Sequence, residues 1–128
     1  MDLPGKLKYT KDHEWVLVEG QSAKVGITEF AQQELGEVVF VDLPAVGKML
    51  KQAETLCVVE STKAASDVYA PIGGKVKAVN AALNSTPDLI NKSPYDAGWI
   101  VQLEQFNGAD VEKLMNAEQY KAHLGDNA

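Results

Sequence analysis

The stretch TLCVVESTKAASDVYAP, residues 55–71, decides the fold. Thr55 to Glu60 is rich in β-branched residues and reads as a strand, and Ser66 to Tyr69 reads as another. Pro71 and the pair Gly73-Gly74 then break the run. Between the strands lie Glu60-Ser61-Thr62-Lys63-Ala64-Ala65, entered by one strand and left by the next. The segment is therefore expected to be a hairpin tip with Lys63 at its apex. A lysine is ordinarily a solvated surface charge. Lys63 differs in its setting, flanked by Thr62 and two alanines with no acid immediately beside it. An amine exposed on a rigid turn can be reached by a modifying enzyme, and a group attached there can swing freely.

The flanking sequence supplies more strands. Trp15 to Glu19 and Ala23 to Ile27 form an expected hairpin about the turn Glu19-Gly20-Gln21-Ser22. Thr28 is placed to N-cap a helix of about two turns, with Glu29 in its first turn and Gly36 at its end. Glu37 to Leu43 reads as a strand stopped by Pro44, and Lys75 to Val79 and Trp99 to Glu104 complete the set. Residues 84–94 read as an ordered loop or short helical turn. Asp110 is expected to cap a final helical segment, interrupted near Asn116 and ended by Gly125. Gly36-Glu37-Val38-Val39-Phe40-Val41-Asp42 also aligns with Gly74-Lys75-Val76-Lys77-Ala78-Val79-Asn80. Two copies only, if related, are halves of one sandwich rather than solenoid units. The expectation is a small β-sandwich or barrel with helices at its edges.

Composition narrows the function. The 128 residues are the size of one domain, taken as 1–128. All 12 basic residues are lysines against 18 acids, a net charge of -6. That argues against a nucleic-acid partner, which needs a positive surface and usually arginine. No run approaches a membrane span, and the N-terminus lacks a signal-peptide pattern. Cys57, the one cysteine, sits in the apolar run Leu56-Cys57-Val58-Val59 without a nearby base. It reads as a small inert core residue, not a nucleophile. His13, between Asp12 and Glu14, has the setting of a proton shuttle, but such a His is more often a surface or packing residue held by carboxylates. There is no phosphate loop and no metal-ligand spacing, so neither a catalytic residue nor a metal site is expected.

Residues 60–71 resemble the lipoylation motif of the glycine cleavage system H-protein family. Further blocks resemble the family in the same order over roughly residues 7–104. They include Lys8-Tyr9 with His13-Glu14-Trp15, Val25-Gly26-Ile27-Thr28, and Leu35 through Pro44. Val79-Asn80, Pro87 through Asn91, and Ser93-Pro94-Tyr95 through Gly98-Trp99 complete the match. Departures are few: Thr62 stands where Val is common, Phe30 where His or Tyr is frequent, Gly73 for a frequent Ser, and Asp12 for Ser in some members.

This resemblance implies a mainly β barrel-sandwich hybrid, the fold of lipoyl and biotinyl domains, with terminal extensions. It implies lipoate in amide linkage on Lys63 and a carrier with no active site of its own. The carrier would take an aminomethyl group from the glycine decarboxylase (P-protein) to the aminomethyltransferase (T-protein). Dihydrolipoyl dehydrogenase (L-protein) would reoxidise it, and lipoate-attaching enzymes would load it. The resemblance nominates Glu14 and Asp67 to dock the arm, and Glu60 and Gly47 to be read by the lipoate-attaching enzymes. A monomer in a bacterial cytoplasm is expected, or in the mitochondrial matrix for a mature eukaryotic chain. An H-like protein relaying lipoate to other acceptors would keep the same lysine. A biotin carrier would show Met on both sides of the lysine, and a 2-oxoacid dehydrogenase lipoyl domain would usually show Asp before it.

Overall fold

The computed structural model describes residues 3–125. Among the described residues, nine short strands form two sheets. Strands β1 (Lys8–Tyr9), β2 (Glu14–Glu19), β3 (Ser22–Ile27), β5 (Met49–Leu50), β8 (Gly74–Val79) and β9 (Val101–Glu104) make a six-stranded sheet in the order β1-β2-β3-β9-β8-β5. Strands β4 (Val38–Asp42), β6 (Thr55–Ser61) and β7 (Ala65–Tyr69) make a three-stranded sheet in the order β4-β6-β7. Every pairing is antiparallel. One apolar core draws on both sheets, with Val25, Val76, Val101 and Leu103 from one and Val38, Val41, Val59 and Val68 from the other. This is the expected mainly β architecture.

The two aligned segments fall on β4 and β8, one in each sheet. Each carries a register shift at the matching place, Val38/Phe40 against β6 and Val76/Ala78 against β9. A bulge adds a residue to one strand and bends it. The repetition thus extends from sequence to backbone geometry, as related halves of a sandwich require.

Five short helices among the described residues decorate the sheets. Helix α1 (Glu29–Leu35) begins as expected at Thr28, whose Oγ1 accepts from the N–H of Ala31, and ends at Gly36 with φ of 81°. Residues 84–94 hold half of α2 (Ala82–Ser85) and all of α3 (Leu89–Lys92), more helix than a single loop. Strand β9 starts at Val101, two residues later than expected from Trp99. Helix α4 (Gly108–Glu112) is capped by Asn107, not Asp110. Asp110 lies inside the first turn, where its Oδ2 accepts from the N–H of Gly73. Asn116 starts a new helix, α5 (Ala117–Leu124), through a reciprocal capping box with Gln119.

A second, smaller apolar cluster joins the two ends of the chain. Leu7, Tyr9 and Trp15 pack with Tyr120 and Leu124 of α5. The rings of Tyr9 and Tyr120 stack at 4.8 Å. Trp15 donates its indole N–H to the carbonyl of Pro94 at 3.0 Å. Its ring lies over Gly26, where a β-carbon would come within 2.6 Å of it. Only glycine leaves the indole that space.

Candidate functional site

The β6–β7 hairpin turns at Ser61–Ala64 with Lys63 exposed near its apex, as expected. The serine straps the turn. Its N–H and hydroxyl both donate to the carbonyl of Ala64, and its Oγ accepts from the N–H groups of Lys63 and Ala64. The N–H of Thr62 donates to the carbonyl of Glu37 at 3.1 Å, tying the tip to the segment after α1. Lys63 takes part in no ion pair among the described residues.

A cleft of about 400 Å³ opens at the foot of the tip. Ala64, Ala65, Asp67 and Val68 form one side. Ile27 and the α1 residues Phe30, Ala31, Glu34 and Leu35 also line it, together with Asp12, His13 and Glu14 from the turn into β2. Asp12 and Glu14 also line a second cleft of about 320 Å³, with Tyr69, Ala70 and Pro71 further along the chain from β7.

Glu14 is only 2% exposed. Its carboxyl accepts from the hydroxyl of Thr10 and, at 3.4 Å, from the N–H of Tyr69. Burial pushes its pKa up to about 7, and nearby Asp12 adds to the rise, while the two hydrogen bonds oppose it. Asp67, by contrast, is exposed on β7 opposite Val58 and lines the first cleft. The structure therefore brings Glu14 and Asp67 to one cleft beside the lysine hairpin. Glu60 is exposed near the end of β6, opposite Phe40 and Ala65. Gly47 is exposed in the turn before β5, with φ of 92° and its N–H bonded to the carbonyl of Val76. That backbone bond ties it to β8 of the six-stranded sheet, not to the hairpin.

His13 is a packing residue, as expected, but the group that holds its ring is not a carboxylate. Its Nδ1 lies 2.8 Å from the hydroxyl of Tyr120, so a phenol on the last helix holds it, not a flanking carboxylate. Its backbone is left-handed, with φ of 73°, and its ring packs against Phe30 at 4.7 Å. Cys57 is 4% exposed, and burial pushes its thiol up to about 12, which agrees with the inert reading.

Three contributors escaped sequence reasoning. Thr10 accepts from the N–H groups of Asp12 and Glu14 while donating to the Glu14 carboxyl, and so fixes the turn that presents them. Asn91 on α3 accepts from the N–H of Val38 and donates to the carbonyl of Gly36 and to Gln32. It pins the end of α1 to the start of β4. Tyr120 reaches the cleft wall from the far end of the sequence. The advance signal for these was chemical type: a Thr four residues before a Glu, an Asn in a loop or short helical turn, a Tyr in a helical segment.

A cleft with an apolar wall, one buried carboxyl and three further acids in its lining, Asp12, Glu34 and Asp67, suits a slender apolar chain that ends in a cation. The exposed amine beside it supplies a point of attachment.

The sequence matches the family model described as Glycine cleavage H-protein over residues 7–127. It is 48% identical to the glycine cleavage system H protein of Thermus thermophilus over 128 residues, covering 100% of both chains. It is 54% identical to that of Symbiobacterium thermophilum over 121 residues, covering 94% of each. A Bacillus subtilis protein of the same name is 49% identical over 121 residues, covering 94% of this chain and 95% of that one. Among solved structures, a glycine cleavage system H protein from Mycobacterium marinum superposes with a TM-score of 0.87 at 38% identity. That match covers 96% of this chain and 99% of the other.

Proposed function

The chain belongs to the glycine cleavage H-protein family, and from that membership we propose that it is a lipoyl carrier with lipoate attached to Lys63. When attached, lipoate would supply a cyclic disulfide that is reduced as it takes up an aminomethyl group at glycine decarboxylase, and that is left as a dithiol, for dihydrolipoyl dehydrogenase to reoxidise, once aminomethyltransferase has removed the group. The observation that carries the reading is the juxtaposition of an exposed lysine tip and an apolar cleft containing Glu14.

The residues fit the group. Ile27, Phe30, Leu35 and Val68 offer apolar surface to a hydrocarbon arm that starts beside Ala64. Lysine plus lipoyl reaches on the order of 14 Å at ordinary bond lengths. Glu14 holds the cationic end of the cargo in a site shielded from water, where a charge-assisted hydrogen bond is stronger than in solvent. Asp67, with Asp12 and Glu34, adds further acid to the lining of the same cleft. Glu60 and Gly47 are the positions this reading assigns to recognition by lipoate-attaching enzymes. The chain itself performs no bond-making step. A bacterial cytoplasm is the compartment that this role and the bacterial relatives support.

A relay of lipoate to other acceptors would need the lysine but not the buried carboxyl. Glu14 therefore favours the carrier of a charged cargo. The test is intact mass after exposure to a lipoate-attaching enzyme and lipoate, for wild type and Lys63→Arg. Arginine keeps the charge but offers no amine for the amide. The wild type should gain one lipoyl mass and support glycine cleavage in the reconstituted system, and the variant should do neither. Lipoylation of the variant at another lysine would overturn the assignment.

A further inference from the structure

Three side chains from distant parts of the sequence meet beside the cleft. Thr28, the N-cap of α1, and Tyr120 of α5 are both fully buried. The Tyr120 hydroxyl lies 2.8 Å from Thr28 Oγ1 and 2.8 Å from His13 Nδ1. It has one proton to share between two neighbours. Burial pushes that phenol up to about 12, so it keeps the proton throughout the working range of pH.

The direction of the chain follows from counting donors. Burial, with a further contribution from His123, holds His13 below its ordinary value despite the acids Asp12 and Glu34. A neutral ring with its proton on Nε2 leaves Nδ1 as an acceptor, which takes the Tyr120 proton. Tyr120 must then accept from Thr28, and Thr28 accepts from the N–H of Ala31. The order Ala31 to Thr28 to Tyr120 to His13 satisfies every group in the line.

We infer that Tyr120 is a positioning residue for the arm bed: its hydroxyl couples the last helix to the His13 ring and the first turn of α1, both of which line the cleft. This rests on the carrier reading above. The backbone of His13 is held by bonds to Thr10 and Thr28, but among the described residues its ring has one hydrogen-bond partner, Tyr120, and otherwise only packs, against Phe30 and near His123. The His13 backbone is left-handed, its ring touches Phe30, and both residues line the cleft near Asp12 and Glu34. Without the phenol the ring gains freedom to rotate into the space the arm would occupy.

The test uses the full chain with Tyr120→Phe, which keeps the stacked ring against Tyr9, and Thr28→Ser, which keeps a hydroxyl at the cap. Nitrogen NMR of the His13 ring needs no lipoate. The wild type and Thr28→Ser should show the Nε2–H tautomer. Tyr120→Phe should populate the Nδ1–H form and titrate at higher pH, because the neutral acceptor has lost its donor. Retention of the aminomethyl group by the lipoylated protein should then fall roughly two- to tenfold in Tyr120→Phe, as expected for one hydrogen bond. An Nδ1–H tautomer in the wild type overturns the proposal even if the variant fails to fold. A shifted tautomer with unchanged retention removes the positioning role and leaves the carrier standing. A wild type that takes no lipoate on Lys63 sinks both.

Discussion

The stem of Lys63 lies against Gly36: a β-carbon on that glycine would stand 3.4 Å from the lysine Cε. The same glycine ends α1 with φ of 81° and ψ of -158°, a region that side-chain-bearing residues rarely adopt. Gly36→Ala should therefore act twice. It should cost about 1–3 kcal/mol of stability from backbone strain. It should also slow lipoylation of Lys63 by crowding the stem. Thermal melts and a time course of intact mass measure the two effects separately.

Glu14 gives a pH prediction with a definite sign. Its folded pKa of about 7 exceeds the ordinary 4.5, so the folded chain binds this proton more tightly than the unfolded chain does. The favourable contribution is complete below about pH 4.5 and is lost as pH rises through about 7. Glu14→Gln has no charge to desolvate. Relative to wild type it should gain about 2–3 kcal/mol between pH 4.5 and 8. Denaturant titrations at several pH values test this, and a flat difference would remove the buried-acid account. Function should move the other way: at pH 8 the variant should release its aminomethyl cargo faster, by about tenfold for a lost charge-assisted hydrogen bond.

Cys57 should be silent in the native state. A thiol pushed up to about 12 and 4% exposed presents almost no thiolate to a reagent at pH 8. Ellman's reagent should label it only on unfolding. Cys57→Ser should still fold and carry lipoate, with stability lowered by about 1–3 kcal/mol for a hydroxyl in an apolar site. Rapid labelling of the folded chain would contradict the burial.

Asn91 should prove more costly to lose than its partial exposure suggests. Asn91→Ala strands the N–H of Val38 and the carbonyl of Gly36 together, and should destabilise the chain by about 1–3 kcal/mol. Asn91→Asp keeps the acceptor for Val38 but turns a carboxylate toward two oxygens. It should be worse than Ala at pH 7 and recover as the acid is protonated.

What the sequence made legible was local. The hairpin around Lys63, the Thr28 cap and the doubled segment on β4 and β8 are written in adjacent residues and in Gly and Pro punctuation. The capping of α4 was not, because Asn107 and Asp110 are equally good N-caps and only the bond from Gly73 shows how Asp110 is used. Glu14 was nominated by resemblance. Pattern alone would leave it outside, yet β2 opens with three buried residues in a row, because both faces of the strand are covered there. The His13–Tyr120 contact joins positions 107 residues apart, a pairing that no window of sequence contains.

The strap that Ser61 throws across the lysine turn has a consequence for loading. Because its hydroxyl and N–H are committed to the Lys63–Ala64 backbone, the tip meets an attaching enzyme as a preformed surface rather than as a pliable peptide. Recognition of this kind is conformational. An excised fragment around Lys63 would carry every residue of the motif and still be a poor acceptor, since it must first lose the freedom that the folded hairpin has already given up.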